Sequence, residues 1–587
     1  MQLIKSFWMY KIEIKPKPLL IAILCAAIFS AYILTFFIYA TNAPRWDDYY
    51  DALYFLYLFD HASGFEDKFG AFLWRYYEQK TLYARLIYLA YYWLNQRLDF
   101  FYLSLIGMLQ LLPTVGLLWA ILQPQNNKTT KSAPIDFTLL IPFSLLFSFV
   151  HWRSPYWAMA SISTLAAIFL AVTVVWFLRR ATLLYLFLAM ISMLALVYSQ
   201  GNGIILLPLA TLQIILSDHT PARLKRIWLL FAVSLLLLFV STYEFYIPFV
   251  GISREEISAK IIDSVPQIIT GFVVLVGSTP FTELDSVMFG ALLGANILVL
   301  LCWVLAWMWK NDRGRFYPVA ALVFYSLASL LVCSIGRVPF NGLVTAYESR
   351  YKIYSLVLLS IVLIFIYQQA KCNLLRWFVC CVVAALFINS YLRFLPQIVA
   401  DSNNRRQEVT EWALKGTHES LGESGWVPLT EQVLFMSARE KFYSPFDSSR
   451  GALYQHQEPI IIDTCQITDS SVDISTATLE NRKGALAAGI ALASTNNKIK
   501  EILLCGEKSQ YRLLPQEVWE RRVVIDKTKL QRDTYAIYIS GNDGSMSRLV
   551  NQLQITEEAF GLPCEEDWGA VQALVRAQIA ENLCRPE

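Results

Sequence analysis

Apolar runs of about twenty residues recur through the first two thirds of the chain, separated by short polar or basic stretches. A helix of about twenty residues covers the ~30 Å of hydrocarbon in a bilayer. In lipid a segment must satisfy its own backbone hydrogen bonds, so each run is predicted to be a helix. Eleven spans are expected, at Leu19–Ala40 and near 100–122, 135–151, 156–178, 182–198, 203–217, 227–247, 287–309, 316–335, 353–369 and 377–395. Two apolar segments fall outside this count. Leu82–Leu94 is aromatic-rich, short, and contains Arg85, so it is predicted as an amphipathic helix at the membrane surface. Ile268–Val276 is bounded by Gly277 and Pro280 and is expected within an external loop that dips toward the membrane.

Beyond Phe394 the pattern changes to that of a soluble protein. Strand-like runs appear at Ile460–Ile462, Ile502–Leu504 and Tyr535–Ile539, with helical stretches at 408–415 and 567–582. Roughly 190 residues suffice for one domain with its own core. The expected organisation is a membrane domain over 1–398, with outer-face loops 41–99, 248–286 and 336–352, followed by a soluble α/β or α+β domain over 399–587.

Charge orients the spans. Lys5, Lys11, Lys15 and Lys17 precede the first run, which places the N-terminus in the cytoplasm by the positive-inside rule. With eleven spans, the cytoplasmic connections then hold Lys128 and Lys131; Arg179 and Arg180; Arg223, Lys225 and Arg226; Lys310, Arg313 and Arg315; and Lys371 and Arg376. Parity puts the C-terminal domain outside, which in a bacterial inner membrane is the periplasm. Only the external loop 336–352 is also basic. The first run is too long for the apolar core of a cleavable signal and lacks a small-residue cleavage site. Composition agrees with this picture: 56% of the 587 residues are hydrophobic and 16% charged, against about 25% charged in soluble domains. The net charge of +3 gives no reason to expect a nucleic-acid partner.

Cys25, Cys302, Cys333, Cys372, Cys380 and Cys381 lie in or beside spans and read as small buried hydrophobes. Cys465, Cys505, Cys564 and Cys584 lie in the tail, where an even number in an oxidising compartment favours disulfides. Chain order suggests Cys465–Cys505 and Cys564–Cys584, but three pairings are open. A zinc site is the weaker alternative, because no CxxC pair exists.

The first external loop opens Pro44-Arg45-Trp46-Asp47-Asp48-Tyr49-Tyr50-Asp51. Adjacent carboxylates at a membrane surface are costly unless they meet a cation, a metal or a substrate. Their structural alternative is to cap the helix expected from Tyr49 to Leu58. Glycosyl transfer from a lipid phosphate needs a base for the acceptor hydroxyl and cations for the charge growing on the departing phosphate. The basic half is offered by Arg337 and by Ser349-Arg350-Tyr351-Lys352. For these the alternatives are snorkelling from helix ends or a salt bridge to Glu348. Glu78, Arg85, Arg153 and Asn202 are further candidates for substrate contact.

The acidic pair after the first span, the long first outer loop with interfacial helices, the many spans and the soluble C-terminal domain together resemble the GT-C superfamily of membrane glycosyltransferases. That superfamily includes protein mannosyltransferases and aminoarabinose transferases. Gly336-Arg337, Ser349-Arg350-Tyr351 and Gln200-Gly201-Asn202-Gly203 are similar to elements of its bacterial members, and the likeness covers residues 1 to about 395. Many members carry an Asn-Glu-His-Arg-like stretch in the first loop, where Tyr77-Glu78-Gln79-Lys80 keeps only the Glu. The resemblance implies Asp47 or Asp48 as catalytic base or ligand of a divalent metal, Mg or Mn. It implies Arg337 and Arg350 as holders of the phosphate of a polyprenyl-phosphate sugar, and a glycan or protein as acceptor. The alternatives from other classes are a transporter or flippase of lipid-linked sugars, or a membrane scaffold that displays the tail. A transporter more often places charges mid-span and shows two similar halves, whereas here the spans are almost free of charge and no internal repeat is visible, which favours the enzyme.

Overall fold

The computed structural model describes residues 16–73, 81–124, 137–180, 182–217, 220–242, 254–281 and 286–415. From the tail it describes 433–434, 437–438, 441–444, 460–461, 472–474, 477–480, 487–492, 499–513, 522–526, 530, 533–541, 546–549 and 551–554. The chain divides into two compact units. The first comprises Met1–Tyr39, Arg75–Ala84 and Ser104–Ile398; the second comprises Ala40–Trp74, Arg85–Leu103 and Val399–Glu587.

The chain is a polytopic helical membrane protein with a β-rich C-terminal region. Among the described residues eight helices are long and apolar enough to cross a bilayer: Pro18–Tyr39, Phe100–Leu122, Ala158–Leu178, Ala222–Thr242, Val287–Asn311, Arg313–Asn341, Ser349–Gln369 and Asn373–Thr410. Each coincides with an expected span. The three remaining expected spans are also helical but shorter, at Phe137–His151, Leu183–Val197 and Gly201–Ile215.

In the first unit, Ala158–Leu178 and Ser349–Gln369 are the most enclosed, with 83% and 72% of their apolar windows buried, whereas Pro18–Tyr39 has 17% buried. Helices such as Ala222–Thr242 therefore turn a Leu- and Val-rich face outward, as lipid contact requires. Several hydroxyls inside the helices donate to carbonyls four residues back, as at Thr173 to Phe169 (2.7 Å) and Ser360 to Leu356 (2.7 Å). Basic residues expected in the cytoplasm do a second job. Arg179 donates to the carbonyls of Ala120 and Ile121, and Arg315 to that of Leu122, at 3.0–3.2 Å. These are the orphan carbonyls at a helix C-terminus, where cations are favoured. The helix ends at 122, 178, 315 and 368, all expected on one side of the membrane, thus meet.

The segment Ile268–Val276, expected within a loop, is helical. It belongs to Val265–Gly277, bent by 65° from Glu256–Asp263. Pro266, in the first turn of the second arm, lacks an N–H and restricts Val265, so a new helix starts there. This arm lies against Val287–Asn311 through glycines: a Cβ at Gly294 would collide with the Val273 carbonyl and with Gly277, and one at Gly277 with the Gly290 carbonyl. The Gly290-x-x-x-Gly294 spacing is what allows so close an approach. Gly294→Val should therefore destabilise the protein by about 1–3 kcal/mol, as overpacking does. Gly336→Ala, where nothing lies within 4 Å, should leave the thermal unfolding of the purified protein unchanged.

The second unit joins the first loop to the tail. The last span does not end where its apolar run ends. Asn373–Lys415 is one helix that absorbs the stretch 408–415, because no helix breaker follows Pro396 before Gly416. Among the described residues ten strands follow: β1 Ile460–Ile461, β2 Val472–Ile474, β3 Ala477–Glu480, β4 Ala487–Leu492, β5 Ile499–Cys505, β6 Gln510–Leu513, β7 Arg522–Asp526, β8 Thr534–Gly541, β9 Met546–Leu549 and β10 Leu553–Gln554. Seven form a sheet ordered β1-β6-β5-β8-β9-β2, with β10 also paired to β8, and three form a sheet ordered β3-β4-β7. All pairings are antiparallel except β2 with β9. Alternation drives this folding: Tyr535, Ile537 and Ile539 of β8 point into one core with Ile502 and Leu504 of β5 and Tyr511 and Leu513 of β6. Cys505 is disulfide-bonded. Cys465, Cys564, Cys584 and the stretch 567–582 lie outside the described residues. The six cysteines in or beside spans are free thiols.

Candidate functional site

After the first span the chain makes a tight turn at Arg45–Asp48. The Asp48 N–H donates to the Arg45 carbonyl (2.8 Å), and the Arg45 N–H donates to the Asp48 carboxylate (2.9 Å). Trp46 sits in the left-handed region, with φ +40°, a conformation that costs a bulky residue stability and that persists only where its surroundings enforce it. Those surroundings are explicit. Arg45 forms a two-pronged salt bridge with Asp401 (2.7 and 3.0 Å), and the guanidinium groups of Arg45 and Arg405 lie 4.1 and 5.6 Å from the Trp46 ring. Tyr443 donates to the Asn42 carbonyl (2.7 Å), and the Leu98 N–H to the Phe442 carbonyl (2.7 Å). The helix that follows begins as a π-helical stretch, Tyr49–Tyr54, wholly buried, a form concentrated at functional positions.

This turn separates the two candidate acids. Asp48 is 1% exposed and committed to the Arg45 backbone. It occupies the N-cap position, yet its side chain makes no capping bond, so the helix-cap role weighed for it is not the one it fills. Asp47, beside it, is half-buried. Tyr49 donates to the Pro44 carbonyl (3.1 Å), and burial holds its phenol far above the usual range, so it stays a donor.

A third acid completes the loop. Asp51 and Arg85 form a salt bridge (3.0 Å) in which both side chains are 0% exposed. Arg85 also donates to the Phe72 carbonyl (2.9 Å) and lies over the Phe55 ring. Burial lowers the Arg85 pKa, and the charge of Asp51 opposes that. Arg85, expected as a substrate contact, is therefore enclosed inside the loop. It lies on the helix Leu82–Asn95, whose Leu86, Trp93 and Leu94 are exposed; that helix points its cation inward and its apolar residues outward, as a membrane-surface helix does. Asp99 starts the second span by accepting from the Phe101 N–H (2.9 Å). Burial raises its pKa, and these backbone donors oppose the rise.

In the first unit two of the expected cationic residues, Arg153 and Arg350, lie beside Glu348. Glu348 lies 2.9 Å from Arg350 and 3.7 Å from Arg153, so the salt bridge anticipated for Arg350 exists and Arg153 shares it. Arg350 lies 5.3 Å from the Trp157 ring and 4.9 Å from that of Tyr351, and Arg153 lies 5.5 Å from Trp152. The charges of Arg337 and Arg350 both reach Tyr351 and Cys333. Lys352 differs: it is 0% exposed, donates to the Phe281 carbonyl (2.6 Å) and lies over Phe394. Its burial argues against the expected phosphate contact. Asn202 donates to the Tyr354 hydroxyl (3.1 Å), which donates to Gln200 (3.1 Å). Glu78 lies outside the described residues.

Among the described residues no group of three or more His, Cys, Asp or Glu side chains forms a metal site. Asp401, Arg405 and Tyr443, which hold the acidic turn, were not legible beforehand. The one hint was the cluster of charged residues directly after the last apolar run.

No family model and no curated protein matches the chain. Among solved structures the chain is similar to ArnT from Cupriavidus metallidurans in the apo state, with 14% identity over 66% of this chain and 79% of that one and a TM-score of 0.40. A likeness this faint decides nothing about chemistry, so the function is argued from the residues.

Proposed function

We propose that the protein transfers a sugar from a polyprenyl-phosphate-linked donor to an acceptor outside the cytoplasm, in the manner of the GT-C enzymes it resembles. The reading is supported by two arginines, Arg153 and Arg350, beside Glu348, with the charge of Arg337 also reaching Tyr351. Guanidinium forks match phosphate oxygens, and aromatic platforms fix them in place. In this reading Asp47 takes the proton of the acceptor hydroxyl as its oxygen bonds to the anomeric carbon. The bond from that carbon to the phosphate oxygen breaks, and the polyprenyl phosphate leaves as an anion held by Arg337 and Arg350. The phosphate needs no general acid, because it departs already charged. The acceptor is a cell-surface glycan, a lipopolysaccharide or a protein, and the tail, placed in the periplasm by charge parity, is the part suited to meet it.

The test is to replace Arg337 and Arg350 with alanine, singly and together, and to follow surface glycans and lipid-linked sugars in cells. Each single variant is expected to slow transfer on the order of a hundredfold, the cost of losing one donor to developing charge, with donor lipid accumulating. Normal glycan modification by the well-expressed double variant would remove the proposed phosphate site.

A further inference from the structure

The helix Asn373–Lys415 runs past the end of its apolar stretch, and three charged residues follow one another along one side of that extension. Asp401, Arg405 and Glu408 are spaced by four and then three positions, so their side chains lie one above the next. Asp401 takes both prongs of the Arg45 guanidinium. Arg405 lies 5.6 Å from the Trp46 ring, and Glu408 lies 2.9 Å from Arg405. This face therefore meets the two residues directly before Asp47. On the other side, Asp48 is tied back to Arg45 through its carboxylate and its own N–H. Asp47 sits between two pinned neighbours.

A loop can be anchored to its neighbour without strain, and this one is strained. Trp46 holds φ at +40°, where a bulky residue is an outlier and where glycine sits freely. Released, the residue would return to a φ of about −60°, and the chain would leave the turn in another direction. Such outliers persist where the surroundings over-determine them, and they cluster at functional sites. We infer that Asp401 and Arg405 are positioning residues of the transfer reaction: acting through Arg45 and Trp46, they force the left-handed turn that aims the Asp47 carboxylate. The inference rests on Asp47 being the base proposed above. It makes the chemistry of the loop depend on a helix face 356 positions away, whose residues need never touch substrate.

The experiment uses the full chain, in cells and purified in lipid nanodiscs, with two readouts. One is surface glycan modification at matched expression; the other is amide hydrogen exchange of peptides covering 42–50. Asp401→Asn keeps the shape of the side chain but loses the charge that holds both prongs. It should slow transfer about tenfold to a hundredfold, the effect of a small misplacement of a reacting group, and should speed exchange at the turn. Asp401→Glu should retain most of the transfer. The deciding variant adds Trp46→Gly to Asp401→Asn. Glycine takes the left-handed φ without being forced, so the double variant should regain most of the lost transfer and slow the exchange again. A bridge that served stability alone would gain nothing from a glycine, which loosens the chain. Three results would each overturn the positioning role and leave the base assignment standing: normal transfer by Asp401→Asn, lost transfer with unchanged exchange, or no recovery on adding Trp46→Gly. Normal transfer by Asp47→Asn would instead remove the base and the positioning role together.

Discussion

Asp47→Asn is expected to reduce glycan transfer by about a hundred- to ten-thousandfold, the usual contribution of a positioned general base, while the protein still reaches the membrane. Asp48→Asn should keep most of the activity. The two acids are neighbours in sequence, but the turn gives them different tasks. Asp48 accepts from the Arg45 backbone at 2.9 Å and is closed off, and an asparagine carbonyl oxygen can accept that same hydrogen bond. Asp47 is the partly accessible member, and asparagine there keeps the shape but cannot take a proton. The measurement is surface glycan modification for each variant at matched expression. Loss of activity in Asp48→Asn with retention in Asp47→Asn would reverse the assignment. Retention in both would leave the chain without its base, and with it the transferase reading.

The second large effect concerns stability. Removing one partner of the Asp51–Arg85 pair, as in Asp51→Asn or Arg85→Ala, should cost about 3–5 kcal/mol, because it strands the other charge in an enclosed site. Both side chains are 0% exposed, so water cannot move in to compensate. The double variant Asp51→Leu with Arg85→Met should recover most of the loss, since an apolar pair of similar volume removes both desolvation penalties. Thermal unfolding of the purified protein checks the expectation. The same double variant also separates two roles for Arg85. If it is stable and active, the arginine serves the loop; if it is stable and inactive, the arginine serves the substrate. Unfolding of the single variants at the same temperature as the unaltered chain would show that the pair contributes no net stability.

A good part of the candidate site was visible in the chain before folding. Carboxylates directly after an apolar run, and arginines in a loop expected outside, which the positive-inside rule would leave neutral, are local anomalies, and local anomalies survive without coordinates. What could not be seen was which of them are occupied by each other. Lys352 reads as a neighbour of Arg350, yet the helical turn that begins there sends its ammonium inward to the Phe281 carbonyl. Arg85 reads as a surface cation, but it is the buried partner of an aspartate 34 positions earlier. Glu348 reads as a salt-bridge partner of Arg350, and only the fold shows that Arg153 shares it.

By itself, the sequence determined that the chain is a multi-span helical membrane protein with a separate C-terminal region, where almost every helix lies, and on which residues charge is conspicuous. The reason is physical: a bilayer imposes a length, a polarity and a full set of backbone hydrogen bonds on each segment independently, so those properties are written in contiguous residues. Tertiary structure alone decided that the loop after the first span folds with the tail, that Arg45 is fixed by Asp401 across 356 positions, that Asp47 rather than Asp48 is left accessible, and that Gly294 admits a neighbouring helix. Ion pairs and close approaches join residues far apart in the chain, and their strength depends on distance and burial, neither of which a one-dimensional pattern contains.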